Sequence, residues 1–498
     1  MLKAIVYFAI IFRRFPNASP SLFRKTPKPV KIVPTRQKIS DVLKFSRVLT
    51  GKKPLKNIES ADRLVAALLV LSENEKICLL DSCGSPHLGA HFLIAGINPL
   101  ETHEIINRNA DETLRFLDEK ISDPNVYSIF TLSYEFGLKL ENIEPREKSF
   151  HTFAEPDVFL AVFDCLVIHD YDTCETFLIG KEKRFAEIEE KLKMAFPKTD
   201  AESFPPNKCV SVVSNFSKTE YLRAVDQIKE FIRQGDTYQI NLTQQIRVEL
   251  PENSTPQQIF HHLRTNNPAP FAAFLQRNAS TVVSASPERF FRVRDRNIST
   301  SPIKGTRPRG KTQKDDEELK NELLDSVKDR AENVMIVDLL RNDLGRICEF
   351  GSVSVRKLCD LETHPTVFHL VSTIDGDLRR DAKFSDIIRA VFPCGSITGA
   401  PKISTMRIID RLETAPRGLS MGAVGYSIQN SLSKTMNSQL PTLNSLDLSV
   451  AIRTMTICGR TAVFNVGGGI VIDSDDESEY AETLVKAGAL LGALCAEL

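Results

Sequence analysis

The hydrophobic pattern changes period several times along the chain. Asp62 to Ser72 (DRLVAALLVLS) reads as a helix, and Lys76 to Leu80 (KICLL) as a buried strand ending at Asp81-Ser82-Cys83-Gly84. Strand-like apolar runs follow at Val158 to Cys165 and Thr176 to Ile179, then a helix-period segment from Glu182 to Phe196. Pro197 to Lys208, with three prolines among Lys, Asp, Ser and Asn, predicts a linker. From Thr219 a helical pattern carried by Tyr221, Val225, Ile228 and Ile232 runs to Gly235-Asp236, and strand-like pieces alternate with Gly/Pro turns from there to the end. No repeat of 20–50 residues is present, and the Ser/Asn/Gln-rich stretch Ser427 to Ser445 reads as a solvated loop. The expected organisation is a leader or tail over 1–40, a scaffold or regulatory part over 41–205, and a chemical part over 206–498.

Composition narrows the class. The 498 residues are 42% hydrophobic and 26% charged, as in ordinary globular proteins, with 64 basic against 64 acidic residues. Zero net charge argues against a nucleic-acid partner. That zero conceals an asymmetry, since residues 1–40 hold nine basic residues and no acid, leaving a body of net −9. The apolar run Ala4 to Phe12 is about half the roughly 20 residues a spanning helix needs, so no membrane association is expected. An acid-free leader suits organelle import, an over-extended start or a tail, and the ten scattered Cys suit reduced thiols in the cytoplasm.

Four constellations can carry chemistry, each beside a plainer reading. Lys304, in SPIKGTRPRG, is set between an apolar residue and Gly305 at a strand-to-turn junction, where desolvation makes a lysine nucleophilic; the same composition fits a basic surface loop. Thr306 adds a hydroxyl and an amide there. Asp329/Glu332 and Glu479/Glu482 are i, i+3 acid pairs, each on one helix face, and two facing pairs suit Mg²⁺; solvated helices carry such pairs as well. Gly467-Gly468-Gly469, after a strand Ala462 to Val466, lets a carboxylate approach backbone N–H groups or simply makes a tight turn. The run from Phe392 to Lys402, with Ser396, opens a helix from Ile403 to Leu412 as an anion holder or a plain helix start. His369 and Arg453 are single polar groups in apolar runs, and a buried Arg is costly unless it meets an anion.

The motifs GDTYQINLTQQ, SASPERFF, SPIKGTRPRG, AENVMIVDLLRNDLG, PTVFHLVS, GSITGAPK, MGAVGY, LSVAIRT and NVGGGIVIDSDDESEYAETLVKA occur in the order found in chorismate-utilising enzymes. Over about residues 215–490 the chain resembles the large subunits of anthranilate and aminodeoxychorismate synthases, with isochorismate and salicylate synthases as relatives. LLDS at 79–82 and FTLSYEFG at 130–137 resemble the amino-terminal half of the amine-forming members. The resemblance implies an α+β fold of two interlocked sub-domains, with face-to-face antiparallel β-sheets and outer helices.

It also implies roles. Gln239 matches the position where the water-adding members carry a basic Lys, which points to ammonia as nucleophile, and Lys304 in PIKGT points to the aminodeoxychorismate-forming branch. Lys304 would add to C2 of chorismate and Glu288 would serve the C4 hydroxyl as acid and base. Mg²⁺ would sit on Glu332 and Glu482, with Asp329 and Glu479 beside it. Arg453, the Gly467 to Gly469 amides, Lys486, Gly305, Thr306, His369 and Ser396 match substrate contacts, and Ser82 matches an effector pocket. Ser420 departs from the family where an aromatic contacts substrate. No glutaminase signature is present, so a separate glutamine amidotransferase subunit is the expected ammonia source. Anthranilate formation, or chorismate binding without catalysis, are the alternatives.

Overall fold

The computed structural model describes residues 50–85, 91–150, 153–196, 209–364, 367–428 and 445–498, all within one unit, Val48–Leu498. The leader, the linker over 197–208 and residues 429–444 of the expected loop lie outside the described residues.

Runs such as VFLAVF over Val158–Phe163 are apolar at every position because both faces of the strand are covered. Phe159, Ala161 and Phe163 point to one side and Val158, Leu160 and Val162 to the other, as the two-residue period dictates. Such strands assemble, among the described residues, into a 12-stranded and a 10-stranded sheet whose paired strands run antiparallel.

The larger sheet interleaves early and late segments: Ile77–Asp81 pairs with Phe271–Gln276, and Thr461–Ile470 with Gln239–Glu249. In the smaller sheet Tyr127–Leu132 pairs with Ala423–Ile428. One apolar cluster joins the facing sheets, with Ile94, Ile168 and Leu275 from the first meeting Ile129, Phe159 and Val424 from the second. The outward faces are covered by helices. Ala61–Leu71, Phe185–Ala195 and Asp476–Ala493 pack on the larger sheet, and Ala110–Ile121, Val327–Gly345 and Phe384–Val391 on the smaller. This is the expected α+β arrangement of face-to-face sheets.

Local signals set the helix ends. Lys218–Gln234 starts at a capping box formed by Ser217 and Glu220 and stops at Gly235, whose φ of 83° is left-handed. Ser326 caps Val327–Gly345 and Asp475 caps Asp476–Ala493, so both acid pairs fall near helix N-termini. Among the described residues no helix is long and apolar enough to cross a membrane, and all ten Cys are free.

Candidate active site

Lys304, Gly305 and Thr306 lie on the strand Ile303–Pro308 at the end of the smaller sheet. Its register against Val367–Asp377 shifts between Ile303 and Thr306, and this irregularity turns the intervening Lys304 out of the regular ladder. Lys304 is half-buried, with carboxylates as its charged neighbours rather than the apolar surroundings expected from its flanks. Thr306 Oγ1 is 2.8 Å from Nδ1 of the buried His369. Gly305 has φ +85°, and a Cβ there would stand 2.9 Å from Leu323 Cδ1 and 3.0 Å from Asp329 Cβ. Only glycine fits both the conformation and the close seat of the helix that carries Asp329 and Glu332.

The three glycines correct an expectation. They do not form a turn after a strand but continue it, within Thr461–Ile470, with Gly467, Gly468 and Gly469 opposite Thr243, Leu242 and Asn241. Their missing side chains make room across the sheet. A Cβ on Gly468 would lie 3.2 Å from Glu479 Oε2 and 3.8 Å from both Glu482 Oε1 and Lys486 Nζ. On Gly469 it would lie 2.1 Å from Gln239 Nε2 and 3.4 Å from Lys304 Nζ. Residues far apart in sequence therefore meet over this strip.

Glu288 follows the strand Thr281–Ser286 and is 5% exposed. Burial pushes its carboxyl up to about 7, against the opposing pull of the Ser396 hydroxyl, the Lys304 charge and the Ile303 N–H. Its Oε1 has no hydrogen-bond partner among the described residues. Ser396 lies in the 3₁₀ turn Gly395–Ile397, so this turn serves the site through one hydroxyl. The lysine of that segment does not, because Lys402 is bound to Asp343 at 2.6 Å and to the Val391 carbonyl at 3.0 Å.

The four acids converge from two helices. Glu479 is buried, accepts from Ser474 at 2.6 Å and lies 3.3 Å from Lys328. Glu482 meets Lys486 at 2.6 Å, and Lys486 also donates to the Gly467 carbonyl at 3.0 Å. Asp329 accepts from Arg307 at 3.2 Å. The Glu332 carboxylate has no hydrogen-bond or ion-pair partner among the described residues. Its carboxyl is raised by burial and by the like charges of Asp329 and Glu479, against the pull of Lys304 and Lys328. For Glu482 burial is outweighed by Lys486 and the carboxyl is lowered.

Among the described residues no three His, Cys, Asp or Glu side chains form a ready-made metal cluster. An unpaired carboxylate facing others is nonetheless a hard oxygen donor set, which fits a divalent cation that keeps several waters.

Arg453 is not inside a strand as its flanks suggest. It lies between Ser445–Val450 and Thr454–Cys458 with φ 47°, its carbonyl accepting from the Ala285 N–H at 3.0 Å. Its guanidinium has no anionic partner among the described residues, and burial lowers its pKa. Such a group stabilises an incoming carboxylate. Ser420 is buried and turned to the backbone of Asn465, whose N–H it accepts at 3.0 Å.

Ser82 lines a separate cavity of about 50 Å³ with Pro270, Phe271, Tyr426 and Ser449, and its hydroxyl is buried without a partner among the described residues. No residue of that cavity is among those around Lys304.

Sequence reading missed Lys328 and Ser474, which act as partners of Glu479 and which spacing does not disclose.

The sequence pattern of the chorismate binding enzymes matches residues 77–492. An aminodeoxychorismate synthase component 1 of Bacillus subtilis (strain 168) is 33% identical over 438 residues, which cover 82% of this chain and 90% of that protein. An anthranilate synthase component 1 of Acetivibrio thermocellus is 40% identical over 285 residues, covering 57% and 55% respectively. Among solved structures, anthranilate synthase component I of Streptococcus pneumoniae TIGR4 superposes with a TM-score of 0.65 at 25% identity, over 92% of this chain and 95% of that one.

Proposed function

Since the chain belongs to the family of chorismate binding enzymes, we propose that it is the chorismate-aminating component of an aminodeoxychorismate synthase. The observation that carries this reading is the meeting of Lys304 and Gln239 over Gly469, beside a buried Glu288 whose carboxyl is raised to about 7.

The chemistry follows from these groups. Lys304 Nζ, as the neutral amine, bonds to C2 of chorismate, the ring double bonds shift, and the C4–O bond breaks as Glu288 gives its proton to the departing hydroxyl. Ammonia then bonds to C4, the double bonds shift back, and the C2–N bond breaks with its electron pair returning to Lys304. The Glu288 carboxylate takes a proton from the new C4 ammonium, which restores the enzyme and leaves one water per amine formed. A carboxyl near 7 suits both transfers. Gln239 cannot take a proton from water near neutral pH, which favours ammonia over water as the second nucleophile.

Arg453 would clamp the enolpyruvyl carboxylate of chorismate, with the Gly467 to Gly469 amides and Lys486 beside it. Glu332 and Glu482 would hold Mg²⁺, with Asp329 and Glu479 beside them, and the ion would neutralise the ring carboxylate. His369 fixes the Thr306 hydroxyl that faces the substrate. A separate glutamine amidotransferase component supplies the ammonia, and Ser82 marks an effector pocket away from the chemistry.

The test is to incubate the protein with chorismate, Mg²⁺ and ammonium chloride, then add an aminodeoxychorismate lyase. 4-Aminobenzoate appearing only after the lyase supports the reading. Fluorescent anthranilate appearing directly, with no 4-aminobenzoate, replaces it with anthranilate synthase.

A further inference from the structure

Two side-chain amides at this site are buried with unpaired atoms. Gln239 and Asn241 are two residues apart on the strand Gln239–Glu249, so their side chains leave the same face. Gln239 is 1% exposed and Asn241 8%. Oε1 of Gln239 and Nδ2 of Asn241 have no hydrogen-bond partner among the described residues.

The backbone of Asn241, by contrast, is fully engaged. Its N–H donates to the Thr398 carbonyl at 2.8 Å, and its carbonyl accepts from Arg417 Nη2 at 2.6 Å. Glu413 clamps that guanidinium at 2.7 and 2.8 Å, and Arg417 Nη1 donates to the Ile397 carbonyl at 2.8 Å. The peptide is held rigidly while the carboxamide is left open. Burying an unsatisfied amide costs stability, and such groups are satisfied when a ligand meets them.

The place of this amide says what it would meet. Asn241 stands opposite Gly469 in the ladder, and a Cβ on Gly469 would be 3.4 Å from Lys304 Nζ. Directly opposed Cβ positions in antiparallel strands are about 5 Å apart, so the Asn241 carboxamide opens on the space shared by Lys304 and Gln239. Arg453, buried with no anionic partner among the described residues, already suits an anionic part of a dicarboxylate substrate. Two carboxamides carry no charge and stay neutral near pH 7, which suits an uncharged hydrogen-bonding guest.

We infer that Asn241 and Gln239 together form the binding subsite for the ammonia nucleophile. This rests on the amination reading and deepens it. Each carboxamide oxygen accepts one N–H of ammonia, leaving the lone pair directed at C4. For Asn241 this needs only a half-turn of the amide, which exchanges oxygen and nitrogen within the same volume. The pinned backbone fixes where the two acceptors stand.

The experiment is steady-state kinetics of the full chain with ammonium chloride as nitrogen source and lyase-coupled detection, comparing the parent with Asn241→Leu and Asn241→Ser. The expected result is a rise of roughly tenfold in KM for ammonium in both variants, as loss of one hydrogen bond implies, with KM for chorismate within about twofold of the parent. The smaller Asn241→Ser serves if Asn241→Leu does not fold. An unchanged ammonium KM, or a rise confined to chorismate, overturns the assignment. A parent that consumes chorismate without forming any amine refutes the amination reading itself, which separates the two failures.

Discussion

Lys304 and Gly469 come from different sheets, yet a single methyl group on Gly469 would stand 3.4 Å from Lys304 Nζ. The same methyl would lie 2.1 Å from the Gln239 amide nitrogen, a distance no real Cβ tolerates. Gly469→Ala should therefore displace the buried Gln239 side chain from its place beside Lys304. The expected outcome is a loss of at least roughly tenfold in kcat/KM for chorismate, since misplacing a reacting group by about 1 Å can cost more than that. A near-normal rate in a variant whose circular dichroism matches the parent would contradict the packing described.

Glu288 makes activity depend on pH in a defined direction. With its carboxyl near 7, the protonated acid needed to expel the C4 hydroxyl is lost above that pH. At saturating ammonium chloride, kcat/KM for chorismate should fall on the alkaline side of pH 7. Glu288→Gln should remove this limb and lower the rate by about 10²–10⁴-fold. The same raised pKa affects stability: the native state holds this proton more tightly than the unfolded chain does. The benefit is full below about pH 4.5, the ordinary carboxyl value, and is lost as pH rises through 7. Urea titrations at pH 5 and 8 should show Glu288→Gln flattening that trend by on the order of 3 kcal/mol.

The acid pairs predict the behaviour of the metal. Glu332 has a raised pKa and no side-chain partner among the described residues, so a proton competes with a cation for it at higher pH than for an ordinary carboxylate. Mg²⁺ affinity measured by calorimetry on the protein should weaken as pH falls, beginning above the usual carboxylate range. Glu332→Gln should weaken it by roughly tenfold or more at all pH values. Equal Mg²⁺ affinity in Glu332→Gln and the parent would remove this glutamate from the metal site.

Gly305 links backbone conformation to the acidic helix. At φ +85°, with Leu323 Cδ1 2.9 Å and Asp329 Cβ 3.0 Å from where a Cβ would stand, Gly305→Ala meets both conformational strain and contact. The strain alone costs about 1–2 kcal/mol. A lowered urea midpoint with an unchanged slope is the expected result, accompanied by weaker Mg²⁺ binding as the helix shifts.

Much of the fold and of the site is legible in the amino-acid sequence. The i, i+3 spacing places Asp329/Glu332 and Glu479/Glu482 on helices, and Gly235 marks a helix end, because local spacing and backbone freedom decide such features. Other features depend on distant neighbours. A glycine run reads as a turn by composition, and only the facing Glu479, Gln239 and Lys304 show why Gly468 and Gly469, within a strand, carry no side chains. The apolar flanks of Arg453 hide a left-handed residue between strands. Lys402 reads as available for anions, yet Asp343, 59 residues away in the chain, holds it.

The most direct measurement is the intact mass of the protein after incubation with chorismate and Mg²⁺ in the absence of ammonia. The account predicts a covalent adduct of chorismate less one water, mapped to Lys304 after digestion, absent in Lys304→Ala and discharged by added ammonium chloride. An adduct that persists in Lys304→Ala, or amination at the parent rate in that variant, would contradict it.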